Sequence, residues 1–250
     1  MEIRRKRFQG VLNILSFNRH FYIYGCTILG LIIASRYVLD WPAFLYYIVI
    51  VSFLYGLTMP LIVSAYVYDF SGFYNFTWLR SYSIEDATYK TNININAGFD
   101  ETSYILQNLF PLSKLQVYDF YNPVLHTEPA IVRARKVSFT YPSTTCIETN
   151  SLPMNNDSVD HIFLISSIHE IRNYDEKVLL LKECKRICKP GGKIIMVEHL
   201  RDLPNFMAFT IGFTHFFSKT IWLEAFKDAG FKSGIEKKFT PFMSIFYYQL

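Results

Sequence analysis

The stretch "TNININAGFDETS", from Thr91 to Ser103, decides the fold. Its first half is a β-branched run of the kind that forms a strand. It breaks at Ala97-Gly98, turns acidic at Asp100 and Glu101, and leads into a helix with Tyr104, Ile105, Leu109 and Phe110 on one face. Strand, turn and helix predict the first unit of a nucleotide-binding α/β domain. The turn, however, carries a single glycine. Loops that cradle a diphosphate need several, because the backbone must approach the phosphates closely. Gly98 alone gives a smaller cradle, helped by Asn96, which tolerates left-handed backbone better than most residues. Asp100 and Glu101 would repel a diphosphate, whereas either can accept a hydrogen bond from an ammonium group. The turn therefore points to an amino-acid-like ligand head. The alternative is that the two acids simply favour the helix N-terminus.

Strand, helix and strand repeat downstream. "KLQVYDF" reads as a second strand ending at Asp119 and Phe120, and a third lies near Thr145 to Glu148. "DHIFLISSI" is a continuous apolar strand of the kind buried on both faces, and "KIIMVEHL" is a fifth. Between these two, "DEKVLLLKECKRIC" is an amphipathic helix that stops at "KPGG". "SKTIWLEAFKDAGF" is a helix capped by Ser218 and ended by Gly230, and "SGIEKKF" with "PFMSIFYYQL" close the chain as paired strands. The order predicts a doubly wound, Rossmann-like seven-stranded sheet, with its ligand beyond the carboxyl ends of the strands beside strand one. Asp119, about twenty residues past Gly98, can accept both hydroxyls of a ribose there. Read alone, it is equally a turn cap.

Three later passages carry a resemblance: "LP" with "DSVD" between Leu152 and Asp160, "HEIRN" from His169, and "RICKPGGKIIMVE" from Arg186 to Glu198. Together, over residues 92–231, they resemble class I S-adenosylmethionine-dependent methyltransferases, most nearly the ubiquinone/menaquinone C-methyltransferase type. The resemblance implies S-adenosylmethionine as cofactor. Asn96, Ala97, Gly98 and Asp100 would form the methionine-end loop, and Asp119 with Phe120 would hold the ribose. Asn150, Ser151 and Leu152 would flank the adenine, with Ser166 to His169 lining the crevice. The family's acid-x-Gly-x-Gly-x-Gly turn appears here as Asn94, Asn96, Gly98 and Asp100. "NAGFDET" instead resembles the "GAGFDT" turn of carboxyl O-methyltransferases related to the protein-leucine type.

A methyl acceptor bearing a hydroxyl or an activated carbon needs a base near neutral pKa. The candidates are His169 with Glu170 beside it, His199 at the end of strand five, and His215 in the aromatic insert Phe206 to Phe217. Each is equally a hydrogen-bonded structural histidine, and the insert is either core or a lipophilic lid. Cys184 and Cys188 stand one helical turn apart with no further Cys or His beside them, so no metal site is expected.

The chain has 250 residues, 18% of them aromatic, with a mean hydropathy of +0.16 and a net charge of +4. The apolar excess lies in two runs, Phe21 to Ser35 and Trp41 to Tyr68, the second uncharged and longer than the about 20 residues a span requires. "RRKR" from Arg4 to Arg7 precedes them and sets the N-terminus on the cytoplasmic side. The aromatic run "DFSGFYNFTWLRSY" suits the headgroup layer. Residues 1–80 are thus expected to be a basic segment, two transmembrane helices and an interfacial segment. Residues 81–250 would be a methyltransferase domain on the cytoplasmic side of the inner (plasma) membrane. The expected partners are the bilayer and a lipophilic small-molecule acceptor: a quinone precursor, phenol, pigment or lipid headgroup. The charge forms no basic stripe for nucleic acid. A nicotinamide oxidoreductase would share the sheet but needs Gly-x-Gly-x-x-Gly, which this turn lacks. A degenerate fold serving as a membrane-bound scaffold and a carboxyl O-methyltransferase remain alternatives.

Overall fold

The computed structural model describes residues 5–84, 89–138 and 140–250, so Arg4 of the basic run lies outside the described residues. Seven strands form one sheet: β1 (Thr91–Asn96), β2 (Lys114–Asp119), β3 (Thr144–Cys146), β4 (Val159–Ile165), β5 (Cys188–His199), β6 (Gly234–Lys238) and β7 (Met243–Gln249). Their spatial order is β3-β2-β1-β4-β5-β7-β6. β1 to β5 run parallel, and β7 is antiparallel to both β5 and β6. The sheet is therefore mixed, its C-terminal hairpin inserted at one edge. Strand order reverses between β1 and β4, which opens the crevice expected beyond their carboxyl ends.

Helix α6 (Tyr174–Ile187) follows β4 and is capped by the Asn173 side chain, which accepts from Glu176 N. α8 (Lys219–Asp228) is capped by Ser218, which accepts from Ile221 N, and Gly230 ends it at φ +87°. α4 (Ser103–Leu109) is short, and two helices arise that the sequence pattern did not reveal: α5 (Pro129–Arg135) and α7 (Leu203–Phe209). "KPGG" does not lie between helix and strand; it forms the first part of β5.

The N-terminal region holds α1 (Gln9–Phe17), α2 (Arg19–Ser35) and α3 (Ala43–Ser64). Among the described residues one continuous helical stretch, Ala43–Asn75, is long and apolar enough to cross a membrane. α2, with 17 residues, is shorter, has no buried residue and packs against α3.

Most of the aromatic run after α3 packs against the sheet. Phe73, Phe76, Trp78, Leu79 and Tyr82 are buried with Phe163, Ile165, Ile195, Val197 and Ile245, covering one face of β4, β5 and β7. Trp78 Nε1 donates to Phe73 O, so its polar edge is paired inside the protein. A sheet buried on both faces needs two apolar covers, and here one comes from residues that composition assigned to the membrane surface. Residues 65–84 thus pack as part of the sheet domain. Phe73→Ala should cost about 3–5 kcal/mol of stability. Phe44→Ala, at a side chain 74% exposed, should cost less than about 0.5 kcal/mol. Denaturant unfolding of the detergent-solubilised chain, followed by tryptophan fluorescence, measures both.

Candidate active site

Beyond the ends of β1, β4 and β5 lies a cavity of about 620 Å³. Its floor comes from the sheet: Ala97 and Phe99 after β1, Ser166, Ser167 and His169 after β4, and His199 closing β5. Its roof comes from the N-terminal helices, with Gly10, Asn13, Ile14 and Phe17 of α1, Phe21 and Tyr22 of α2 and Pro60 of α3. Phe209, Ile211 and Phe216 of the insert close one side, so the insert lines the cavity.

The β1 turn has two halves with different fates. Gly98 adopts φ +80°, a conformation glycine takes without strain. Asn96 Oδ1 accepts from Gly98 N at 2.7 Å, while Asn96 Nδ2 is buried with no partner among the described residues. Asp100 points inward: Oδ1 accepts from Thr102 N and Ser103 N at 3.0 and 2.9 Å. Burial raises its pKa, opposed by hydrogen bonds from Ser103 and Thr102. Asp100 therefore caps α4 and does not reach the cavity. Glu101 does reach it, held by Arg5 and Tyr74, each 2.7 Å from Oε2, and by Gln9 and Asn13 at Oε1.

Asp119 stands at the end of β2 beside Gly98, where the strand order puts it. Its Oδ2 is 2.6 Å from Arg135 Nη1, which also donates to Ala97 O at 2.7 Å. A β-carbon built on Gly98 would lie 1.4 Å from that same nitrogen. A guanidinium from α5 thus fills the space between the glycine and the acid. Phe120 is buried in the core against His126. Leu152 is also core, and Asn150 and Ser151 are exposed on the loop after β3. None of these last four lines the cavity. Ser166 does, at φ +48° and with its buried hydroxyl lacking a partner among the described residues.

The three histidines separate by environment. His199 Nδ1 donates to Phe242 O at 2.9 Å, and its Nε2 therefore accepts from Tyr68 Oη at 2.7 Å. Its ring stacks on Phe216, and burial lowers its pKa to about 4. Both nitrogens are engaged, so His199 supports the wall. His169 donates Nδ1–H to Glu198 Oε2 at 2.6 Å, and its Nε2 lies 3.4 Å from Glu170 Oε1. Burial opposes a charge on this ring, but the Glu198 and Glu170 carboxylates outweigh it and raise the pKa to about 10. Glu198 is itself fixed by Ser167 N and His169 N. His215 stands 5.0 Å away, ring centre to ring centre, and is lowered to about 4 by burial and the charge on His169. At neutral pH one ring holds a proton and its neighbour does not.

Of the residues named from the sequence, the structure brings His169, Glu170 and His215 together at the cavity wall; Glu128 before α5 also lines it, and Glu128, Glu198, Arg135 and α1 were not singled out from the sequence. Glu198 had a signal, an acid ending an apolar strand; Arg135 had none. Cys184 and Cys188 are both buried in the core, the first on α6 and the second opening β5.

A family model for a methyltransferase domain matches residues 108–196. Among curated proteins, norreticuline-7-O-methyltransferase of Papaver somniferum is 31% identical over 117 residues, 47% of this chain and 29% of that enzyme. A highly reducing polyketide synthase of Pyrenophora dematioidea is 33% identical over 88 residues, 30% of this chain and 3% of the synthase. The matched stretch thus spans less than a third of either relative. Among solved structures, a candidate O-methyltransferase from Nostoc punctiforme superposes with a TM-score of 0.55 at 12% identity, covering 96% of this chain and 72% of that one. Geranyl diphosphate C-methyltransferase of Streptomyces coelicolor, in complex with Mg2+, geranyl diphosphate and S-adenosyl-L-homocysteine, gives 0.50 at 11% identity over 76% and 81% of the two chains. The fold is that of class I S-adenosylmethionine-dependent methyltransferases.

Because the value at His169 stands above the ordinary 6.5, its proton stabilises the fold fully below pH 6.5, and that stabilisation is lost as pH rises through about 10. Nitrogen-15 NMR of labelled histidines should show this ring titrating near pH 10. Glu198→Gln should bring it down by at least one unit.

Proposed function

We propose that the chain transfers a methyl group from S-adenosylmethionine to a small lipophilic acceptor held in this cavity, at the cytoplasmic face of a membrane. One observation carries the reading: a single cavity is floored by the strand ends of a methyltransferase fold and roofed by apolar helices. Phe21, Tyr22 and Pro60 on one side face Ala97, Ser166 and His169 on the other. An acceptor resident in a bilayer would meet the reacting centre without crossing water. α2 and α3 form the anchor in this reading. Two crossings return the chain to its starting side, and the contact of Arg5 with Glu101 supports a domain on the same side as the N-terminus.

The cofactor fits the residues on one condition. Asn96 Nδ2 and the Ser166 hydroxyl are buried donors awaiting partners, and Gly98 offers a close backbone approach to the methionine end once the Arg135 guanidinium that covers it has moved. Asp119 can take the ribose hydroxyls only when Arg135 withdraws. Arg135 is the more accessible partner, its side chain 29% exposed against 8% for Asp119, so the guanidinium can move to solvent while the acid stays in place. Its withdrawal gives up the bonds to Asp119 and Ala97 O, against which stands the roughly 8 kcal/mol of a micromolar ligand. The ribose replaces the guanidinium, so Asp119 is never left unpaired. Once bound, the cofactor supplies a methyl group already activated on a sulfonium, and alignment with exclusion of water is what remains for the protein. Phe17 and Phe99, packed edge to face at 5.1 Å, close the side toward solvent. The neutral ring of His215, its pKa lowered to about 4, can accept a hydrogen bond from an acceptor hydroxyl and so orient it beside the charged ring of His169.

The same Arg135–Asp119 pair favours a second reading, a scaffold whose cofactor cleft is permanently closed by its own side chain. Calorimetric titration with S-adenosylmethionine separates the two. The enzyme reading expects binding by the parent chain and binding at least threefold tighter in Arg135→Ala. No heat from either protein at millimolar ligand would leave the scaffold. Mass spectrometry of lipid extracts incubated with enzyme and cofactor should then reveal an acceptor heavier by one CH2.

A further inference from the structure

We propose that His169, Glu170 and His215 form a binding site for one first-row transition-metal dication. The donor atoms of the three lie within 4.8 Å of one another, at the cavity wall. Both imidazoles turn the same way. His169 gives Nδ1 to Glu198 at 2.6 Å and faces Glu170 Oε1 with Nε2 at 3.4 Å. His215 has Nδ1 3.9 Å from Glu128 and Nε2 3.9 Å from the same Glu170 oxygen. Two rings thus point Nε2 at one carboxylate while a second carboxylate stands behind each Nδ1. His169 is thereby oriented as metal-binding histidines are, with its far nitrogen held by an acid, whereas Glu128 stands near His215 Nδ1 without bonding it.

A second observation is independent of this arrangement. The Glu170 side chain is 7% exposed, yet its Oε2 has no hydrogen-bond partner among the described residues. A buried carboxylate oxygen left unpaired costs free energy unless something binds it. Ligands about 2.0–2.1 Å from a tetrahedral ion sit roughly 3.4 Å apart, so from separations of up to 4.8 Å the trio must close by at most about 1.4 Å. Two imidazoles and one carboxylate suit zinc, iron, cobalt or manganese better than calcium or magnesium. The remaining positions open into the cavity.

The ion takes the place of the proton between His169 and Glu170, and three carboxylates around two rings supply the negative field that holds it. Arg172 is the opposing charge. It donates to His215 O at 2.7 Å and approaches Glu128 at 3.9 Å, behind the trio. What fills the open positions rests on the reading above: an acceptor oxygen on the ion would lose its proton more readily than the free hydroxyl does, with His215 then a ligand. The site itself does not rest on that reading.

The test uses the tag-free full chain in detergent, stripped with chelator, and neither cofactor nor acceptor, so its outcome is separate from that of methyl transfer. Titration with Zn2+, and with Co2+ read by its visible absorption, should give one ion per chain. Glu170→Gln and His215→Gln should each weaken binding at least tenfold, and His126→Gln should leave it unchanged. Circular dichroism of each variant confirms folding, and the half-buried His215 position serves if Glu170→Gln does not fold. Binding well below one ion per chain, or affinity unmoved by the folded variants, would overturn the proposal.

Discussion

Glu101 is where the two halves of the molecule are joined. Its two oxygens receive Arg5, Gln9 and Asn13 from the N-terminal segment and Tyr74 from the aromatic cover. All four partners come from outside the strand–helix repeat, and Glu101 itself sits in the turn after β1. The carboxylate therefore ties the roof of the cavity to the turn beneath it. Arg5 also lies over the Tyr74 ring at 3.5 Å, so the charge on one side and the aromatic on the other hold it in a single place. α1 cannot lift from the cavity without breaking this knot, and the cavity has no roof without α1.

That dependence explains which parts of the molecule were legible in sequence. β4, α6 and α8 have long, uniform patterns, and each formed close to the bounds of its pattern, while β5 formed on its pattern but took in "KPGG" as well. α5 and α7 have seven residues each, too few for periodicity to separate from loop. The burial of the run from Phe73 to Tyr82 against the sheet was not legible, for a physical reason. Aromatic residues next to an apolar helix suit a headgroup layer and a protein core equally by composition, and only the uncovered face of β4, β5 and β7 decides between them. Asp100 was misread in the same way: an acid after a glycine turn can meet a ligand or cap a helix, and here the backbone N–H groups of α4 claimed it.

At the site, the legible residues were those whose chemistry is written in their own type. His169, Glu170 and His215 could be named because histidines beside strand ends are few. Their partners could not. Glu198 meets His169 across 29 positions, Tyr68 meets His199 across 131, and Arg135 covers Gly98 only because α5 folds back over the turn. Pairings of this kind follow from the sheet order, in which β1, β4 and β5 are neighbours despite their separation in the chain.

The contrast between His169 and His215 shows how far such partners matter. The rings are 5.0 Å apart and both are largely buried, yet one titrates near 10 and the other near 4. Burial alone would push both down. Two carboxylates within 3.4 Å reverse the shift for His169. The nearest acids to His215 stand at 3.9 Å, and the charge already on His169 repels a second one. The cluster thus holds a single positive charge among three carboxylates. The carboxylates that hold this charge would equally meet a cation put in its place, at the same wall of the cavity.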